Sequence, residues 1–258
     1  MNKRLILILF LIPAYLIAWA QYYDVDKPEI EVGIVEHLDN TIPLGLEFQN
    51  EQDETVTLAS LIDKPTILSF VYFECPGLCP PLLAGISDVI DKLDMDLGSE
   101  YQVITISFNP KDFPERAREK KLNYVQNIPE GDRKYWMWLT GEQNNIMAIT
   151  DSVGFKFKPQ GVDFAHPSAI IAISPEGKIT RYLYGLNFLP FDVKMALIEA
   201  QKGISRPTIN KILDICFAYD PGSRSYSLQI TRVVGGLLLF IALTAFIILL
   251  IKGRRKSA

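Results

Sequence analysis

Two cysteines separated by three residues close an apolar run: Thr66-Ile-Leu-Ser-Phe-Val-Tyr-Phe73 leads into Glu74-Cys75-Pro76-Gly77-Leu78-Cys79-Pro80. The thiolate, not the thiol, is the nucleophile and the metal ligand, so such a pair can form a disulfide with itself or grip a soft metal ion. Few other groups are available for this chemistry: of 258 residues, three are cysteine and two are histidine. If the second cysteine enters a helix, both sulfurs can face one spot at its N-terminal end. There the unpaired N–H groups and the helix dipole favour thiolate. Pro76 and Pro80 stiffen the loop and lower its unfolded-state entropy. An inert structural disulfide is the bland alternative; over so short a loop it offers little entropic stabilisation.

The elements that must hold this pair alternate in type. Thr66–Phe73 is almost continuously apolar, as expected of a strand covered on both faces. From Pro81 to Leu93, the residues Leu82, Leu83, Ile86, Val89, Ile90 and Leu93 recur at helical spacing and form one apolar face. Pro81 fits the first turn, where its missing N–H would be unpaired anyway. Gln102–Phe108 reads as a strand, and Asp112 and Pro114 open a charged helix to about Val125. A short strand follows at Trp136–Leu139, then a helix from Glu142 to Val153. Ala169–Ser174 and Ile179–Tyr184 flank the turn Pro175-Glu-Gly-Lys178 as a hairpin, and Pro190–Lys202 closes with a helix. The order is α/β. Its βαβ units imply parallel strands and its late hairpin an antiparallel edge. With the cysteines after the first core strand, it resembles a thioredoxin-like layout, which implies helices on both faces of a mixed sheet.

In that layout the loop before the hairpin, Gly161-Val-Asp-Phe-Ala-His166-Pro167-Ser168, lies beside the cysteine loop. Pro167 then falls where such folds often hold a cis proline. A loop histidine taken alone reads as solvent-exposed; its place beside Cys75 and Cys79 makes His166 a third candidate ligand. His37, in Val35-Glu-His-Leu-Asp39, is expected to be solvated. Two thiolates and an imidazole form a soft, three-coordinate set. Thiolates favour Cu(I), and neutral imidazole accepts copper in either oxidation state. Zinc is the rival, because Cys₂His plus water is a catalytic zinc set, but a structural zinc site needs a fourth protein ligand and none is obvious.

The chain ends place this chemistry. Lys3 and Arg4, the apolar run Leu5–Ala18 and the site Ala18-Trp-Ala20 read as a signal peptide over residues 1–20, cleaved before Gln21; an uncleaved anchor is the alternative. Val233–Ile251 is about 19 uncharged residues, enough to cross a bilayer. Lys252, Arg254, Arg255 and Lys256 follow it, so the tail 252–258 is expected in the cytoplasm and residues 21–231 outside. Nineteen of the 26 basic residues and all 30 acidic ones lie in 21–231, a net charge of −11. Such a charge argues against nucleic acid as a partner. The compartment permits disulfides. Residues 21–53 read as a polar arm, 54–203 as the compact domain and 204–232 as a tether. Cys216 in the tether is the odd cysteine: a free thiol, a lipid attachment point, an intermolecular partner or plain packing.

Val71-Tyr-Phe-Glu-Cys75-Pro-Gly-Leu-Cys79-Pro80, Ile106-Ser-Phe-Asn-Pro110 and the later His166 together resemble the Sco/SenC copper proteins, over about Glu54 to Gly203. The resemblance implies a thioredoxin-like fold with copper bound by Cys75, Cys79 and His166. It further implies a role in assembling the copper site of cytochrome c oxidase, with that subunit or another copper client as partner. Gly77 stands where such proteins often carry an acid, Ala165 precedes the histidine where Asp is common, with Asp163 further back, and Asn109 replaces another Asp. The ligand set is intact. The family is usually anchored at its N-terminus, so a C-terminal span is a variant. The expected protein is a membrane-tethered copper chaperone on the outer face of the cytoplasmic membrane, with Cys75 and Cys79 also able to form a redox disulfide. Its rivals are a thiol–disulfide oxidoreductase that reduces a copper client's cysteines, and a redox-sensing or scaffold protein without cargo.

Overall fold

The computed structural model describes residues 31–161, 163–206, 217–220 and 225–228. Its N-terminal part supplies β1 (Gly33–Ile34), β2 (Glu47–Gln49), β3 (Thr55–Thr57) and the one-turn helix α1 (Leu58–Leu61). The alternating units follow as β4 (Thr66–Val71), α2 (Cys79–Lys92), β5 (Gln102–Ser107), α3 (Pro114–Leu122), β6 (Trp136–Leu139) and α4 (Gln143–Ser152). Three short strands come next, β7 (Phe155–Lys156), β8 (Lys158–Gln160) and β9 (Asp163–Ala165), then β10 (Ala169–Ile173), β11 (Ile179–Tyr184) and α5 (Pro190–Gln201). Further on, β12 (Phe217–Asp220) and β13 (Ser225–Leu228) pair antiparallel with each other.

The central sheet has the order β11-β10-β4-β5-β6. β4, β5 and β6 run parallel, while β10 is antiparallel to β4 and β11 to β10. This is the mixed sheet expected from two βαβ units and a late hairpin. Every residue of β4, β5 and β10 is buried, so both faces of the sheet are covered, which is why β10 and most of β4 read as apolar. α5 packs on β10, β11, β4 and α2, and α3 on β6. Because β4 is central and parallel to β5, its C-terminal end opens at the sheet's edge, where an α/β fold displays its chemistry.

Three features differ from the sequence expectation. The stretch expected as an arm is partly built into the domain. Ile42 and Phe48 are each 2% exposed, and the Phe48 ring lies where Gly141 leaves room, 2.6 Å from the place a β-carbon would occupy. Glu51 is buried as well, ion-paired to Lys121 and accepting the Trp138 N–H at 3.1 Å. Isolated apolar residues in a polar stretch carry no period, so this packing has no signal in the sequence. Second, α2 begins at Cys79, with prolines in its first turn, and α3 ends at Leu122, where the Asn123 N–H turns back to Lys120. Third, the connection before His166, read as a plain loop, carries β7 and the hairpin β8–β9, turned by Gly161 at φ +67°. The leader, Cys216, the 233–251 span and the basic tail lie outside the described residues. Among the described residues no helix is long and apolar enough to cross a membrane.

Candidate metal centre

The end of β4 is held from below before it reaches the cysteines. The Phe108 N–H donates to the Val71 carbonyl at 2.8 Å, and the Cys75 N–H to the Tyr72 carbonyl at 3.2 Å. Asp112, expected to open α3, instead turns its buried carboxylate toward the loop. It accepts the Phe73 N–H at 2.8 Å and the Ser107 hydroxyl at 2.6 Å. Arg116 lies 3.5 Å from Asp112 and 2.9 Å from Glu74, the residue before Cys75. The loop that delivers the first sulfur is thus tied to β5 and α3. Cys79 is delivered by the first turn of α2, whose inner face places seven buried residues against the sheet.

Cys75, Cys79 and His166 converge. One sulfur from each cysteine and a ring nitrogen of the histidine all lie within 4.8 Å of one another, and no other group of three or more His, Cys, Asp or Glu does this among the described residues. Cys75 is 5%, Cys79 0% and His166 8% exposed. Both cysteines are free thiols in the structure. The Gly77 and Cys79 amides each donate to Cys75 Sγ at 3.4 Å. Burial pushes the Cys75 thiol up, but the Cys79 amide, the Cys79 side chain, the Gly77 amide and the Tyr72 hydroxyl outweigh it and hold the thiol below its ordinary value. Burial pushes the Cys79 thiol well up. The two thiols are therefore unequal, Cys75 being the more acidic and Cys79 the less.

His166 is set by its own backbone. Its Nδ1 lies 2.8 Å from the Pro167 carbonyl oxygen. A carbonyl only accepts, so Nδ1 carries the proton and Nε2 presents a lone pair. Nε2 stands 3.6 Å from Cys79 Sγ. Burial holds the imidazole below its ordinary value, against the opposing pull of the Pro167 carbonyl. Aromatic rings wall it in: Phe108 at 5.2 Å, Tyr72 edge-on at 6.0 Å and Phe155 at 6.4 Å. Two sulfurs and a neutral imidazole suit a soft, low-coordinate cation, and no fourth side chain in the described residues completes a closed tetrahedral zinc site.

The three candidate ligands named from sequence are together, and the other expectations fare differently. His37 is not solvated: it is half-buried, with Nδ1 3.0 Å from the Ser152 carbonyl and its backbone N–H donating to the Tyr182 hydroxyl at 3.1 Å. The β1–β7 pairing draws it against α4, away from the converging group. The His166–Pro167 bond is trans, since no cis peptide occurs among the described residues. Sequence reasoning missed Tyr72, Asp112 and the aromatic wall. The Tyr72 hydroxyl donates to Asp163 Oδ1 at 3.2 Å across 91 positions of sequence, a separation over which no spacing rule operates.

Comparison with known proteins agrees with this geometry. The SCO1/SenC family model matches residues 39–190. The SCO1 protein homolog of Bacillus subtilis (strain 168) is 28% identical over 150 residues, covering 56% of this chain and 75% of that protein. A solved structure from Aquifex aeolicus VF5 superposes with a TM-score of 0.59 at 29% identity, over 64% of this chain and 95% of that one. BsSco, a member of the Sco family of cytochrome c oxidase assembly proteins in which a disulfide switch was identified, shares the fold with a TM-score of 0.50 at 24% identity, over 66% of this chain and 96% of its own. The family match takes in more than half of the chain and all three converging side chains, so the chain belongs to the SCO1/SenC family.

Proposed function

We propose that this protein is a copper chaperone, tethered to the outer face of the cytoplasmic membrane, that delivers copper to or matures the copper site of cytochrome c oxidase. The observation that carries the reading is the buried trio of two sulfurs and one bare imidazole nitrogen within 4.8 Å. Thiolates favour Cu(I), and imidazole accepts copper in either oxidation state. Cys75, the more acidic thiol, makes the first contact with the cargo. Cys79 gives up its proton as the cation approaches, and Nε2 of His166 closes the site. Release follows by exchange of these ligands for the cysteines of a partner. The oxidase as client is supported by membership of the SCO1/SenC family. The membrane placement is supported by the uncharged run 233–251 with basic residues after it.

Two measurements test it. Purified, reduced protein given copper and zinc together is expected to hold stoichiometric copper; preference for zinc, or no retained metal, overturns the reading. Protease added to intact spheroplasts is expected to digest residues 21–231 and spare the tail; a protected domain overturns the topology.

The unequal thiols favour a second reading, a thiol–disulfide oxidoreductase. The Cys75 thiolate would attack a client disulfide and form a mixed disulfide, and the Cys79 thiolate would then displace the client's sulfur. The client leaves as a dithiol, and the two electrons it gained leave a Cys75–Cys79 disulfide behind. A disulfide offers no thiolate to a metal, so copper loading and this bridge exclude one another. An oxidised dithiol peptide separates the readings. A chaperone's thiols are protected once loaded with Cu(I), and His166→Ala loses copper while keeping thiol exchange. Rapid peptide turnover with copper held no more tightly than by ordinary dithiols assigns the protein to the second class.

A further inference from the structure

The histidine half of the centre hangs from a small element. The hairpin β8–β9 has three cross-strand pairs, its first strand is wholly exposed and its second half-buried. A lone two-stranded hairpin is marginal in water, so its position must come from tertiary anchors. His166 lies between the end of β9 at Ala165 and the start of the buried strand β10 at Ala169, so the hairpin sets the less firmly held of its two flanks. Apolar anchorage comes from Phe164, whose ring meets Tyr72 edge-on at 5.1 Å and Phe108 at 5.4 Å. Polar anchorage comes from Tyr72, 4% exposed, through the bond from its hydroxyl to Asp163 Oδ1. The same hydroxyl helps to hold the Cys75 thiol below its ordinary value, which sets Tyr72 between the first sulfur and the strand that leads to His166.

We propose that Tyr72 is a positioning residue of the metal centre, whose hydroxyl bolts the histidine-bearing hairpin to the cysteine-bearing end of β4 and so determines whether His166 stands over the sulfurs. The inference rests on the reading of Cys75, Cys79 and His166 as one metal site. Ring packing alone tolerates sliding, since edge contacts between aromatics keep their energy over a range of offsets. A hydrogen bond to a side-chain oxygen is directional, and weakens steeply when bent. It fixes the hairpin's register along β4, and with it the reach of Nε2. The role needs an acceptor at position 163, not a charge, because an amide oxygen accepts the same proton.

Tyr72→Phe keeps every ring contact and removes only the hydroxyl; Asp163→Ala removes the acceptor, and Asp163→Asn retains one. In metal-free protein, hydrogen exchange over residues 158–165 is expected to quicken about tenfold in Tyr72→Phe and Asp163→Ala, the effect of losing one such bond. Asp163→Asn should stay near the parent, and exchange in β4 and β5 should not change. With copper, a competition assay for Cu(I) completes a double-mutant cycle. The loss of affinity on His166→Ala is expected to be about tenfold smaller in the Tyr72→Phe background than in the parent, a coupling typical of residues that share a network. Parent-like exchange in the hairpin of Tyr72→Phe, or an undiminished His166→Ala penalty, overturns the proposal. If the parent protein takes no copper, the chaperone reading fails, and the metal-free exchange measurement still decides the bolt.

Discussion

The cysteine half and the histidine half of this centre are anchored by different means. The sulfurs sit at the junction of β4, buried at all six positions, and α2, a helix of 14 residues. Their loop is tied down by a buried carboxylate, Asp112, through the Phe73 amide and the Ser107 hydroxyl. The imidazole sits at the end of a hairpin with three cross-strand pairs, one strand of which is fully exposed. Local unfolding is least costly where buried apolar contact is least. The two sulfurs thus form the fixed jaw of the site, and the histidine the adjustable one. Under the proposed chaperone function the two would divide the work: a jaw that keeps hold of cargo, and a ligand that can be withdrawn when a partner's thiols arrive.

Ligand removal gives the largest expected effect on this contrast. Cys75→Ala or Cys79→Ala should lower Cu(I) affinity by more than about 100-fold, since even outer partners of metal ligands are worth 10–100-fold. His166→Ala should also fall sharply but by less than either cysteine, because both sulfurs remain; His37→Ala should not change affinity. Competition against a Cu(I) chelator measures all four, and a histidine penalty exceeding the cysteine penalties breaks the contrast. Next in size is Asp112→Ala, which leaves the Phe73 amide and the Ser107 hydroxyl without their acceptor. Urea unfolding should show a loss of about 2 kcal/mol, the usual penalty for orphaned buried donors, together with weaker copper binding. Gly85→Ala probes the seam between the halves. A β-carbon there would fall on the Leu186 carbonyl, and Leu186 follows Gly185, whose N–H donates to Ser168 just beyond the histidine. Crowding at this seam should cost about 1–3 kcal/mol in urea unfolding; a neutral result would mean the seam is slack.

The smallest expected effects are in pH dependence, where His166 and Cys79 have opposite signs. Burial lowers His166 from 6.5, so the unfolded chain takes up its proton first. The contribution of neutral His166 is present above pH 6.5 and lost as pH falls through the lower folded value. Burial raises Cys79 from 9.0, so its contribution is present below pH 9.0 and lost as pH rises above it. In metal-free, reduced protein, the urea midpoint should therefore decline on both sides. His166→Ala should flatten the acid decline and Cys79→Ala the alkaline one, and a limb unchanged by its own substitution would refute the assignment.

Legibility in the sequence followed the same divide. The strands Trp136–Leu139 and Ile179–Tyr184 are where their apolar patterns placed them, and the others shift by a residue or two at one end. Elements with long apolar periods announce themselves because burial on a regular surface leaves a regular pattern. The hairpin β8–β9 and the packed residues Ile42, Phe48 and Glu51 left none. Each depends on one or two side chains meeting distant partners, such as Glu51 with Lys121. His37 was misread for the same reason, since its cover comes from α4 and Tyr182 rather than from its neighbours in the chain.

By itself the sequence determined the alternation of strands and helices, the siting of two cysteines at a strand end and the apolar helix that follows them. All of these are short-range consequences of periodicity and spacing. It also pointed to His166 as a third candidate ligand, through a resemblance in layout rather than through any local property of that residue. Only the tertiary structure decided what makes the trio a site. It brought the Nε2 of His166 to 3.6 Å from Cys79 Sγ, fixed its tautomer on the Pro167 carbonyl, divided two identical thiols into an acidic and a reluctant one, and joined Tyr72 to Asp163. These are matters of distance, burial and hydrogen-bond direction between groups far apart in the chain, and such quantities exist only once the sheet has closed around them.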